Sequence, residues 1–339
     1  MIVVCDKCQS RFKLDESRIK TRHFKARCSR CQHVFSATKP EHVPVAPEEN
    51  VPAPGGPAES PPAPVAPEKS SSAPLSTGIA AKVIAISNQK GGVAKTTTCL
   101  NLGISLALLR KKVLLIDFDV QSNLSISLGY PNKPSFYDML NAPSHKPAES
   151  ALIESQYTGL WLLPSNKNMV LLNKKYFGAP NYEYILRDHL NQLQQQFDYI
   201  LIDTPPSIEF FTLNALTTSD MVIIPSQCDY LSTHGVDQIL KLIHLIRQKT
   251  NPAVTARMLI TMYDDRATAS QVIYSKLQRI YREQTFQTII NYDDKLREAQ
   301  IMSMPVIHYD QASRSGQQYM DLAQEVIQLT NQGGKPHAQ

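Results

Sequence analysis

No uninterrupted apolar run in the sequence approaches the roughly 18 residues that a membrane-spanning helix needs, and no charged segment followed by an apolar one opens the chain. Both absences argue against a span or an export signal, and the expectation is a cytoplasmic protein. Charge of one sign is scarce over most of the length: residues 79–339 hold 24 Lys and Arg against 22 Asp and Glu. So near-neutral a stretch gives no bulk signal for nucleic acid, and any such contact must rest on a local patch. No internal repeat is visible, which leaves out solenoids and propellers.

The charge that does exist is placed unevenly. Residues 1–39 carry ten Lys and Arg against three Asp and Glu, and residues 40–78 carry one against five. The second segment also holds eleven of the 23 prolines. Such a composition cannot bury a core and predicts an extended, semi-rigid tether. No P-x-x-P array with basic flanks marks it as a docking site. The predicted organisation is a small module at 1–39, a linker at 40–78, a large domain at 79–331 and a tail at 332–339.

Cysteine is scarce too, with six in 339 residues, yet four fall as Cys5-x2-Cys8 and Cys28-x2-Cys31 across a 19-residue gap. That is zinc-ribbon spacing: each C-x-x-C turn offers two thiolates to one tetrahedral Zn²⁺, and so small a module has no core to fold it otherwise. Disulfides fit a reducing cytosol poorly. His23 and His33 are surplus to a complete four-sulfur shell. Phe12, Ile19, Phe24 and Phe35 read as the module's apolar layer. Its basic coat suits a nucleic-acid backbone, an acidic protein surface, or simply solvent.

From residue 79 onward, short Val, Ile and Leu runs alternate with longer segments of helical pattern. Strands are predicted at 82–87, 112–117, 160–165, 198–203, 220–225, 256–262 and 286–290, with helices at 95–110, 181–196, 233–249 and 268–282. This alternation predicts a doubly wound α/β domain with a mostly parallel sheet.

The first of these strands runs into "NQKGGVAKTTT" and then a helix, the context that a phosphate cradle requires. Gly91 and Gly92 let backbone N–H groups approach phosphate oxygens, Lys95 can reach the β- and γ-phosphates, and the Thr96 hydroxyl can ligate Mg²⁺. The generic pattern G-x-x-x-x-G-K-[ST] is not met, because Gln89 and Ala94 occupy its glycine positions.

The run "KGGVAKTT" resembles the deviant Walker A motif, K-G-G-x-x-K-[ST], of the ParA/MinD family of ATPases, in which the first generic glycine is not required. The resemblance implies an ATP site at Lys90, Gly91, Gly92, Val93, Ala94, Lys95, Thr96 and Thr97, with Lys90 reaching the nucleotide of a partner subunit. "VLLIDFDVQSN" is similar to the family's D-x-D-P-Q segment, with Val120 in place of proline, and implies that Asp119 orients the attacking water while Asp117 fixes the strand end. "YILIDTPPS" looks like the Walker B strand, which delivers Asp203 to Mg²⁺. Ala94 stands where the family often has glycine, a methyl that could crowd the loop or the dimer contact. The likeness runs from about residue 82 to 328, and "MVIIPSQCDYLSTHGV" and "ITMYDDR" resemble its ParA-type branch. Cys99 and Cys228 read as core residues.

The resemblance implies an ATP-state homodimer, slow ATP hydrolysis stimulated by a ParB-like protein or cargo adaptor, and nucleoid association through nonspecific DNA contacts. Arg266, Lys295 and Arg297 are the first candidates for those contacts, with Lys276, Arg279, Arg282 and Arg314 nearby in sequence. Membrane-binding relatives end in a basic amphipathic helix, which "MDLAQEVIQLTNQGGKPHAQ" lacks. A second reading is a nucleotide-gated binding module that acts through the ribbon with little or no turnover.

Overall fold

The computed structural model describes residues 2–4, 11–13, 23–27, 33–38, 80–142, 148–191, 193–230 and 232–332. These fall into two units, one within residues 1–71 and one within 72–339. The described part of the first consists of β1 (Ile2–Val4) paired antiparallel with β2 (Arg11–Lys13), and β3 (His23–Arg27) paired antiparallel with β4 (Val34–Thr38). Cys5, Cys8, Cys28 and Cys31 lie outside the described residues, as does the whole of the predicted linker at 40–78.

The second unit is an eight-stranded sheet. Its elements in chain order are β5 (Lys82–Ile86), α1 (Lys95–Leu108), β6 (Val113–Asp117), α2 (Asn123–Ser127), α3 (Phe136–Leu140), β7 (Ile153–Glu154), β8 (Leu160–Leu163), α4 (Val170–Tyr176), α5 (Ile185–Leu190), β9 (Tyr199–Asp203) and α6 (Phe210–Thr218). They continue with β10 (Met221–Gln227), α7 (Ser232–Lys249), β11 (Thr255–Tyr263), α8 (Thr268–Tyr281), β12 (Thr285–Asn291), α9 (Asp294–Ile301), α10 (Val306–Tyr309) and α11 (Arg314–Gln332). The order across the sheet is β12-β11-β10-β5-β9-β6-β8-β7, parallel throughout except at β7, which runs antiparallel to β8.

Both faces are covered, as the near-continuous apolar strands require. Side chains alternate along each strand, so Val83 and Ala85 join one core layer with Ile200, Ile202, Val222 and Ile224, beneath α5, α6 and α7. Ile84 and Ile86 join the other with Leu115, Leu201 and Ile223, beneath α1 and α11. α11 spends its apolar face here, through buried Tyr319, Leu322, Ala323 and Val326. No helix among the described residues is long and apolar enough to cross a membrane. Cys99 and Cys228, expected as core residues, are both buried, in opposite layers.

One expected helix is shorter than its pattern. The segment 181–196 forms a 3₁₀ turn at Tyr182–Tyr184, then α5 over Ile185–Leu190 alone, then turns. Asn214 on α6 intervenes: its Nδ2 donates to the Tyr182 carbonyl and its Oδ1 accepts from the Leu186 N–H, each at 2.9 Å. These side-chain bonds satisfy backbone groups at the start of α5. Sequence periodicity also gave no sign of β7, whose two residues are too few to show a pattern.

Candidate nucleotide-binding site

β5 lies between β9 and β10, so three strand ends converge at the carboxyl edge of the sheet, the usual ligand position in open α/β folds. The segment leaving β5 forms the loop, and α1 begins at Lys95. Gly92 has φ of 73° and Ala94 has φ of 67° and ψ of 34°, both left-handed. Glycine adopts this region freely, whereas alanine pays roughly 1–2 kcal/mol for it. Ala94 nonetheless caps α1, its carbonyl accepting from the Thr98 N–H at 2.9 Å. What glycine supplies at this position is therefore a backbone conformation; the cost of Ala94 is a backbone cost.

The loop is braced from neighbouring strand ends. Asn88 Nδ2 donates to the Pro225 carbonyl at 2.8 Å while its Oδ1 accepts from the Lys90 N–H at 3.0 Å. Gln227 Nε2 donates to the Gly92 carbonyl at 3.0 Å, and the buried Thr261 hydroxyl donates to the Val93 carbonyl at 3.2 Å. Gly235 lets α7 approach, since a Cβ there would stand 3.2 Å from Asn88 Oδ1. These braces were not anticipated from sequence. Their one available signal was position, polar residues at or near the carboxyl ends of apolar strands.

The two lysines of the loop face different partners. Lys95 is buried, and its Nζ donates to the Lys90 carbonyl at 3.0 Å. Burial lowers its pKa, opposed by the carboxylates of Asp203 and Asp119. Lys90 turns sideways instead, its Nζ pairing with Asp229 and donating to Ser232 Oγ at 3.2 Å at the start of α7. The Asp229 carboxyl is held below the usual range by hydrogen bonds from Lys90 and Ser232, against the opposing effect of burial.

Asp117, Asp119 and Lys95 are the charged neighbours of Asp203. Asp117 is fully buried, and its Oδ2 accepts from the Ser125 N–H at 2.8 Å and the Ser125 hydroxyl at 2.6 Å, fixing the turn from β6 into α2. Burial pushes its carboxyl up to about 6. Asp119 Oδ1 accepts from the Gln121 N–H at 3.0 Å, and its carbonyl accepts from Ser165 Oγ at 2.6 Å. Asp203, at the end of β9, is fully buried with neither carboxylate oxygen hydrogen-bonded. Burial drives its pKa well up, with Asp117 adding to the rise and the nearby Thr96 hydroxyl opposing it. A carboxylate this buried and unsatisfied, beside a hydroxyl, is a donor set suited to a hard divalent cation.

A cavity of about 670 Å³ opens over these groups, lined by Gly91, Gly92, Ala94, Lys95, Thr96, Thr97 and Asp119 at the loop and by residues of α9 beyond it. Lys90 and Val93 do not line it. Val93 is fully buried beneath the loop. The three residues expected to touch DNA are separated in role: Arg266 is exposed and paired with Asp264, Lys295 pairs with Glu298, and Arg297 lines the cavity.

Residues 81–256 match the family model of an AAA domain, and residues 1–36 match that of a zinc-ribbon domain. Over 251 residues the chain is 36% identical to the sporulation initiation inhibitor protein Soj of Bacillus subtilis, covering 72% of this chain and 98% of that protein. The chain belongs to the ParA/Soj family of P-loop ATPases. The chromosome partitioning protein ParA of Myxococcus xanthus is 34% identical over 73% of this chain and 88% of its own. Among solved structures, cobyrinic acid a,c-diamide synthase from Mycobacterium smegmatis, with a bound ATP analogue and magnesium, superposes with a TM-score of 0.65 at 32% identity, covering 75% of this chain and 98% of the other. As a ParA/Soj ATPase, the chain carries its nucleotide loop between β5 and α1.

Proposed function

We propose that the protein is an ATP-dependent dimeric switch that partitions DNA or positions an intracellular cargo, and that its ATP-state dimer binds nucleoid DNA without sequence preference. The observation that carries this reading is the division of labour between the loop lysines: Lys95 lines the cavity, while Lys90 is held outside it by Asp229 and Ser232. A lysine held there can exchange that intrachain pair for the phosphates of a nucleotide on a second copy. Binding ATP and pairing two subunits then become one event.

Within each subunit, Lys95 and the loop N–H groups bind the phosphates, and Asp119 orients the attacking water. Thr96 and Asp203 would hold Mg²⁺, which supplies charge neutralisation for the β- and γ-phosphates when bound. The match to a zinc-ribbon domain supports Zn²⁺ on Cys5, Cys8, Cys28 and Cys31. Arg266 and Lys295 are the proposed DNA contacts. The Myxococcus relative is named a chromosome partitioning protein, which favours DNA as the cargo; a ParB-like or adaptor protein is the proposed stimulator.

The test is ATP turnover by the full-length protein with and without nonspecific DNA, for wild type and Asp119→Ala. Slow wild-type hydrolysis, raised by DNA and a partner and lost in the variant with ATP binding intact, is expected. Equal turnover by both proteins would remove Asp119 from the mechanism.

A further inference from the structure

The cavity extends well past the phosphate loop. Its far wall is built by Asn291, Tyr292, Asp293, Leu296 and Arg297, from the end of β12 and from α9. β12 lies three strands from β5, about 14 Å at ~4.8 Å per strand. That span places the wall at the base end of a nucleotide whose phosphates rest on the loop.

Arg297 is fixed at this wall. Its Nη1 donates to the Tyr292 phenol oxygen at 3.0 Å, and the Tyr292 hydroxyl donates in turn to Asp294 Oδ1 at 3.0 Å. The neighbouring cations are already spoken for: Arg266 pairs with Asp264, Lys295 with Glu298 and Arg314 with Asp265. Arg297 makes no ion pair among the described residues. It keeps four N–H donors and a flat guanidinium, exposed at the wall of a cavity whose apolar flank is Leu296 and Met262. A flat cation on an apolar-lined slot suits an aromatic heterocycle better than a nucleic-acid backbone.

We propose that Arg297, pinned by Tyr292, is a nucleotide-binding residue whose guanidinium packs on the purine base, and that it is not a DNA contact. The inference rests on the reading of the cavity as the ATP site. It assigns Arg297 to a step that precedes DNA binding, and it leaves Arg266 and Lys295 as the cations outside the cavity.

The experiment is a calorimetric titration of full-length wild type, Arg297→Ala and Arg297→Lys with ATP and, separately, with inorganic tripolyphosphate, both with Mg²⁺, followed by DNA binding at saturating ATP. Arg297→Ala is expected to weaken ATP about tenfold, the scale of a partly desolvated guanidinium on a ring, and to leave tripolyphosphate unchanged. Lysine is expected to restore little, since it offers charge without a flat face. DNA affinity at saturating ATP and its salt dependence should match wild type. Unchanged ATP affinity in the alanine variant overturns the inference, as does an equal loss with both ligands, which would put Arg297 on the phosphates. Lost DNA binding with intact ATP affinity restores the DNA role and overturns it too. A wild type that binds neither ligand refutes the ATP-site reading itself, an outcome distinct from wild type and variant binding ATP alike.

Discussion

Replacing Ala94 by glycine relieves a backbone strain that is readable in two angles, φ of 67° and ψ of 34°. An L-residue in this region pays roughly 1–2 kcal/mol. Glycine removes that cost but adds freedom to the unfolded chain, worth about 0.4–1 kcal/mol in the other direction. The net expectation for Ala94→Gly is a gain of about 0.5–1 kcal/mol, or a rise in Tm of roughly 2 °C for a domain of this size. Urea denaturation and calorimetry of the full-length protein would measure it. The loop's bonds from Gln227 and Thr261 and the Ala94 carbonyl bond to Thr98 are all made without the methyl group. ATP affinity should therefore stay within about threefold of wild type. A variant less stable than wild type would refute the reasoning, because it would mean that the methyl group contributes packing exceeding its conformational cost.

Asp203→Asn should raise the stability of the nucleotide-free protein at pH 7.5 by about 1 kcal/mol or more while abolishing Mg²⁺-dependent turnover, since it removes a buried carboxylate with no hydrogen bond. The pH dependence has a defined sign. Burial raises the Asp203 and Asp117 carboxyls, so each binds its proton more tightly folded than unfolded. Their destabilising effect is absent below the unfolded value near 3.8 and grows as pH rises; for Asp117 it is complete above about 6. The stability advantage of Asp203→Asn over wild type should accordingly shrink toward pH 4, and an advantage independent of pH would contradict it. Asp229→Asn should loosen Lys90 and shift ATP-dependent dimerisation to lower protein concentration, measured by sedimentation; weaker dimerisation would show that Asp229 acts in the dimer rather than before it. Metal analysis of the full chain should find about one zinc per subunit, lost on Cys5→Ser, with ATP binding retained.

Much of the candidate site is legible in the sequence because its residues are near neighbours in the chain. Gly91, Gly92, Lys95 and Thr96 lie within six residues of one another, and an apolar strand that ends in Asp203 reads the same in any context. The seven expected strands lie within two residues of those observed, since strands buried on both faces leave continuous apolar runs. The expected helix at 181–196 is cut to α5 over Ile185–Leu190, whose first turn is met by Asn214 from another element, a contact that sequence periodicity cannot show. The resemblance places Arg266, Lys295 and Arg297 together as basic residues of the domain's C-terminal part; two positions apart on α9, Lys295 pairs with Glu298 and Arg297 lines the cavity.

By itself, the sequence determined the α/β class and showed where a glycine-rich loop and strand-end carboxylates stand in the chain, because these depend on short periodic patterns and on residues adjacent in the chain. Tertiary structure alone decided that β5 sits between β9 and β10, that Lys90 is paired with a carboxylate 139 positions away, and that Ala94 is left-handed. Those facts follow from how the sheet orders its strands and where each crossover helix lands. Contacts between residues a hundred positions apart leave no period in the chain to be read.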